Sequence, residues 1–158
     1  MFNLESKQQM VNPGTAYHVS KLLFGGIEVI IPQDEVVSIE SVYELKPGIE
    51  SKRYIGEIYK QKAKVPVYCF SDSMEILTHA PEDRPKCVVI RHTDGDFSVL
   101  CHDIQNVVFS DMRLQAVPSC MKKPVMPLTH LCLYKEAGFL KLGLVTNAAC
   151  LNEYIKNV

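Results

Sequence analysis

The chain has 158 residues, with 17 basic and 18 acidic side chains and a formal net charge of −1. Without a basic excess, neither nucleic acid nor an anionic membrane surface is an expected partner. The hydrophobic fraction of 47% provides a core for one domain or two small, closely packed subdomains. No window reaches the ~18 uninterrupted apolar residues of a membrane-spanning helix.

Residues 1–16 are polar and contain the turn residues Asn12-Pro13-Gly14, so a flexible leader is predicted before a domain spanning 17–158. Alternating or continuous apolar runs predict short strands over 17–24, 27–31, 35–42, 54–59, 64–70, 87–91, 97–101, 104–109, 128–134 and 139–145. Such strands at intervals of about ten residues favour an all-β barrel or sandwich.

The turns between these strands have recognisable chemistry. Gly25-Gly26, Thr93-Asp94-Gly95-Asp96 and Glu136-Ala137-Gly138 predict hairpins, and Pro47-Gly48 predicts a further turn. Ser71-Asp72 resembles an N-cap, which predicts one helical turn through Met74, Ile76 and Leu77. Pro118, Pro124 and Pro127 predict an extended connection over 112–127. Asn147 is predicted to cap a short final helix over 148–155.

The chain offers few residues with the arrangement that catalysis needs. Cys101 and His102 are adjacent, but neighbours on a strand point to opposite faces and do not reach each other. Asp94 and Asp96 flank Gly95 and are explained by turn geometry. The cysteines lack paired metal-ligand spacing and are interpreted as reduced, buried, cytosolic thiols: Cys69, Cys87, Cys101, Cys120, Cys132 and Cys150. No cofactor or metal is predicted, and the chain is not expected to be an enzyme.

Several stretches together resemble the CheW-like family, whose members are coupling proteins of bacterial chemotaxis. The matching stretches are Leu22-Leu23-Phe24, Gly26, 27–32, Val36 with Ile39, 56–62, Val65-Pro66-Val67-Tyr68 and Val99-Leu100-Cys101-His102-Asp103 with Val107. The resemblance covers roughly residues 17–155. It implies an all-β fold of two closely packed, five-stranded, SH3-like barrel subdomains, with the predicted short helix at the C-terminus. It also implies a non-enzymatic, cytoplasmic adaptor.

The resemblance implies binding to a CheA-type histidine kinase regulatory domain, to the cytoplasmic tip of a chemoreceptor, and to other CheW-like domains. In the family, a groove between the subdomains receives the receptor tip, and one barrel face docks on the kinase. The partner-binding positions carried over are Val36, Ser38, Ile39, Ile58, Lys60, Gln61 and Lys62. For Val36, Ile39 and Ile58 the alternative is a place in the barrel core; for 60–62 it is a solvated hairpin loop.

Three positions depart from the family pattern. The family's Arg-Gly pair, whose arginine is implicated in receptor and array contacts, is Gln61-Lys62 here. Neither side chain reproduces the bidentate bonds of a guanidinium. Cys69 stands in place of an aspartate, and Ser38 in place of an acidic residue. Two alternatives therefore stay open: an interaction protein of pilus-based motility without kinase contact, and a small β-barrel enzyme acting through Cys101 or Cys69.

Overall fold

A computed structural model describes residues 8–10, 16–42, 45–47, 54–110 and 112–158. The described residues form short strands, one 3-10 turn at Gln33–Glu35 and one α-helix. The strands are β1 (Gln8–Met10), β2 (Tyr17–Phe24), β3 (Ile27–Pro32), β4 (Val36–Ser41), β5 (Lys46–Pro47), β6 (Gly56–Lys60), β7 (Ala63–Phe70), β8 (Ile76–Leu77), β9 (Lys86–Ile90), β10 (Phe97–Cys101), β11 (Asp103–Phe109), β12 (Met112–Ala116), β13 (His130–Glu136) and β14 (Phe139–Val145). The helix α1 spans Ala148–Asn157.

The strands form two seven-stranded sheets. Sheet A has the order β1-β12-β13-β14-β3-β2-β11, and sheet B has the order β4-β9-β10-β7-β6-β5, with β8 paired to β7. Turn residues set the hairpins as predicted: Gly25 (φ 60°), Gly95 (φ 122°) and Gly138 (φ 81°) adopt positive φ between paired strands.

Three apolar clusters organise the molecule. One lies within sheet A around Ile30 and Tyr134, and a second lies within sheet B around Val67 and Leu100. The third, the shared cluster, joins both sheets and α1. Strand β10 contributes to two clusters because successive side chains point to opposite faces. Leu100 points into the sheet B cluster, whereas its neighbour on either side points into the shared cluster. The predicted all-β fold of two packed barrel subdomains is confirmed, and each sheet carries short additional strands.

Helix α1 closes one side of the shared cluster. Its residues Ala148, Leu151 and Tyr154 are buried there. Asn147 caps the helix as predicted, because its Oδ1 accepts a hydrogen bond from the Cys150 N–H at 2.8 Å. No helix in the described part of the chain is long and apolar enough to cross a membrane.

The structure differs from the predicted elements in three places. The predicted helical turn through Ile76 and Leu77 is wrong: these residues form β8, which pairs with the end of β7. Ser71 still caps the turn, since its Oγ accepts from the N–H groups of Ser73 and Glu75, but the chain then folds back onto β7.

The other two differences are short strands in segments predicted to lack them. Strand β12 forms the first part of the connection predicted over 112–127. A strand is possible there because the three prolines, which would interrupt its hydrogen bonds, all follow it. Within the predicted leader, Gln8–Met10 pair with β12 as β1, and residues 1–7 and 11–15 lie outside the described residues. Gly48 of the predicted Pro47-Gly48 turn also lies outside them.

Candidate docking surfaces

Cys101 and Cys69, the two candidate nucleophiles, are poor nucleophiles in this fold. Burial raises the pKa of the Cys101 thiol to about 12, and burial also raises the pKa of Cys69 despite the neighbouring Arg84 guanidinium. A catalytic cysteine requires the opposite shift, toward the thiolate at neutral pH. His102 is exposed and its Nδ1 lies 3.0 Å from the Asp83 carbonyl oxygen, so it turns away from Cys101 as predicted. The described residues contain no group of side chains that could hold a metal ion.

The predicted partner-binding positions on β4 have different environments. Ile39 is 47% exposed, on a strand that ends the order of sheet B. Val36 is half-buried and packs against the shared cluster. The Ser38 Oγ is buried, with no hydrogen-bond partner among the described residues. Of these three, Ile39 is therefore the side chain that a partner can reach.

Ile58 does not lie on a surface. It is 1% exposed and belongs to the sheet B cluster, because β6 alternates an inward Ile58 with an outward Tyr59. The side chain therefore has the environment given as the alternative, a place in the barrel core.

The β6–β7 hairpin projects the other predicted positions. Gln61 (φ 49°) and Lys62 (φ 66°) are both exposed and left-handed, as in a type I′ turn. The Lys60 Nζ lies 3.4 Å from Glu40 Oε1, so the hairpin and β4 are joined across sheet B. Ile39, the neighbour of Glu40 on β4, points to the opposite face of that strand. We give the name β4–hairpin surface to the exposed Ile39 on β4 together with Lys60 and the turn, which the Lys60–Glu40 pair brings next to this strand.

The residues that line a second candidate docking surface were not predicted from the sequence. Met74, Met121 and Met126 line an apolar groove of about 390 Å³ together with Leu144 and Tyr154; we call it the methionine groove. The groove lies where the β7–β8 turn of sheet B meets the 117–129 segment, β14 and α1. Unbranched, polarizable methionines suit a surface that accommodates apolar side chains of another molecule.

The turn that contributes Met74 is held in an uncommon conformation. Met74 has a φ of 63°, and its side chain is buried in the shared cluster. Four hydrogen bonds fix the turn. Two join backbone groups: Met74 N–H to the Ser71 carbonyl at 3.0 Å and Ser71 N–H to the Glu75 carbonyl at 2.8 Å. The other two run to Ser71 Oγ, from Ser73 N–H at 3.2 Å and from Glu75 N–H at 3.1 Å. Left-handed non-glycine residues persist where the surroundings hold them, often at ligand-binding positions.

The chain was compared with known proteins by sequence and by fold. No protein-family model matches the chain, and no curated protein matches it in sequence. Among solved structures, the scaffolding protein TtCheW from Thermoanaerobacter tengcongensis superposes with a TM-score of 0.67 at 9% sequence identity. The match covers 91% of this chain and 94% of TtCheW. The chain therefore has the fold of a CheW scaffolding protein.

Proposed function

We propose that the chain is a non-enzymatic, cytoplasmic adaptor that couples a CheA-type histidine kinase to a chemoreceptor in chemotaxis or motility signalling. The observation that carries the proposal is the match of nearly the whole chain to a CheW scaffolding protein. The buried, protonated thiols support it further, because they argue against the cysteine-enzyme alternative.

The two surfaces differ in the partner that each suits. The β4–hairpin surface presents a strand at the end of sheet B and suits another small barrel, such as the regulatory domain of the kinase. The methionine groove lies between the two sheets and suits the apolar face of a helical receptor tip. The surfaces are formed by different elements, as an adaptor with two partners requires.

Binding measurements with purified proteins test the proposal. The chain is titrated by calorimetry with the kinase regulatory domain and, separately, with a receptor cytoplasmic fragment. Ile39→Asp is expected to weaken kinase binding about tenfold or more, since a charge would be buried at the contact. Met121→Glu is expected to weaken receptor binding and to leave kinase binding unchanged.

Control variants and alternatives sharpen the experiment. Val108→Asp changes an exposed apolar residue of sheet A and should leave kinase binding intact. Gln61→Arg restores the family's guanidinium; unchanged receptor binding would place Gln61 outside the contact. If neither kinase domain nor receptor fragment binds at high concentration, the coupling role is wrong and the pilus-associated alternative is favoured.

A further inference from the structure

The outer face of sheet A carries an unusual row of leucines. Strand register places Leu133 opposite Leu142, Leu131 opposite Leu144, and Lys135 opposite Leu140. These side chains point away from the sheet A cluster, because their neighbours Cys132 and Tyr134 point into it. In an antiparallel sheet with one face on the core, the other face is ordinarily polar.

Only one end of this row is covered. Leu131 is buried, and Leu144 packs against the shared cluster. Leu140 is 66% exposed and Leu142 is 54% exposed, and Leu133 is half-buried beside them. We call Leu133, Leu140, Leu142 and Leu144 the leucine strip. Contiguous exposed apolar residues of this kind mark interaction sites on soluble proteins.

Charged residues lie at both ends of the leucine strip, with opposite sign. At the hairpin end, the exposed Arg113 and Lys135 line a cavity of about 290 Å³ together with Leu133 and Leu140. At the far end, Leu144 lines the methionine groove, whose rim carries Asp72 and Glu75 with one lysine, Lys123. The strip therefore runs from a basic end to a predominantly acidic end.

We propose that the leucine strip is a self-association surface, on which a second copy of this chain packs in the antiparallel direction about a two-fold axis. A two-fold axis superposes one patch on its own copy, so the patch must be self-complementary. Antiparallel strips meet that condition: the apolar middles face each other, and the basic end of each copy lies over the acidic end of the other. Such pairing buries Leu140 and Leu142 and partly neutralises four exposed charges of each copy.

The proposal does not rest on the coupling role, because it needs no kinase or receptor. Self-association is measured by sedimentation velocity from low micromolar to several hundred micromolar chain. We expect the weight-average mass to rise from one chain toward two. The double variant Leu140→Lys/Leu142→Lys is expected to stay monomeric throughout this range. Val108→Lys is the matched control, since Val108 is 55% exposed on β11 of the same sheet, and it should associate like the wild type.

Charge reversal tests the antiparallel arrangement. Arg113→Glu/Lys135→Glu and Asp72→Lys/Glu75→Lys are each expected to weaken the dimer about tenfold through like-charge contacts. Combining all four changes reverses both ends and should restore the dimer to within about threefold of the wild type, since opposite charges again meet. Circular dichroism confirms that each variant is folded.

Three results would overturn the proposal. One is a wild-type chain that stays monomeric at the highest concentration. Protection of β14 from hydrogen exchange only after a different protein is added would then show that another partner covers the leucine strip. Another is a Leu140→Lys/Leu142→Lys variant that dimerises like the wild type. The third is a fourfold charge variant that remains as weak as either reversal alone.

Discussion

Arg84 connects the two barrels, and its removal provides a quantitative test of the fold. The side chain is buried, and its Nη1 donates to the Phe70 carbonyl oxygen at 2.9 Å and to the Leu100 carbonyl oxygen at 3.4 Å. Its guanidinium also lies 5.2 Å from the centre of the Phe24 ring. Phe70 ends β7 and Leu100 is the next-to-last residue of β10, both in sheet B, whereas Phe24 ends β2 of sheet A.

The substitution Arg84→Met keeps an unbranched apolar stem and removes every polar contact. Hydrogen bonds from a charged donor contribute about 1.5–3 kcal/mol each, and the longer bond lies at the weak end. The cation–π contact adds about 0.5–2 kcal/mol. The Nε–H has no hydrogen-bond partner among the described residues. The cost of removing this group from water cancels about 1–3 kcal/mol of the stabilisation from the other contacts. We therefore expect Arg84→Met to lower the free energy of unfolding by about 3 kcal/mol.

Urea denaturation followed by far-UV circular dichroism measures the change. The midpoint should fall at an unchanged m-value, and Tm should fall by about 6–12 °C for a chain of this size. Arg91→Met is the control, because Arg91 is exposed and its change should stay within about 0.5 kcal/mol. A loss below about 1 kcal/mol for Arg84→Met would refute the reasoning that this arginine stabilises the junction of the sheets.

Three further variants test local features. Asn147→Ala removes the side-chain cap of α1 and should lower the free energy of unfolding, measured by urea denaturation, by about 1 kcal/mol. An unchanged free energy would show that the cap is dispensable. Gln61→Asn/Lys62→Gly introduces the preferred type I′ pair at two left-handed positions and should raise stability by about 1 kcal/mol; destabilisation would contradict the turn assignment. The hydrogen bond from Lys21 holds the pKa of Glu136 below its usual value of 4.5. The ionised Glu136 therefore stabilises the fold fully above its unfolded pKa, and this stabilisation is lost as pH falls through the folded pKa. In Glu136→Gln the free energy of unfolding should fall less steeply as the solution is acidified. An unchanged acid dependence would contradict this.

Local chemistry explains what the sequence predicted well. Glycine at Gly25, Gly95 and Gly138 accounts for three hairpins, since each adopts a backbone conformation that other residues rarely take. The cap at Asn147 is also local, because donor and acceptor are three residues apart. Features of this kind depend on neighbours in the chain and need no knowledge of the tertiary fold.

The candidate docking surfaces depend on contacts between distant residues. Met74 and Met121 meet in one groove although 47 positions separate their numbers (121 − 74), and no periodic pattern links them. The burial of Ile58 could not be predicted either, because a resemblance matches positions without telling which face of a strand each occupies. The turn at Ser71 has the hydrogen bonds of a cap, and only the tertiary pairing of β8 with β7 decides against a helix.

The acidic end of the leucine strip is also the rim of the methionine groove, which couples the two proposals. A receptor helix in the groove would cover Asp72 and Glu75, and a second copy on the strip would require the same side chains. Binding of one must then weaken binding of the other by the same factor, because linkage is reciprocal. Sedimentation velocity with increasing receptor fragment should show dimers converting to receptor-bound monomers, whereas kinase domain on the β4–hairpin surface should leave dimers intact. A ternary species of two chains with two receptor fragments would refute the competition and leave self-association standing, since the two surfaces would then be occupied together.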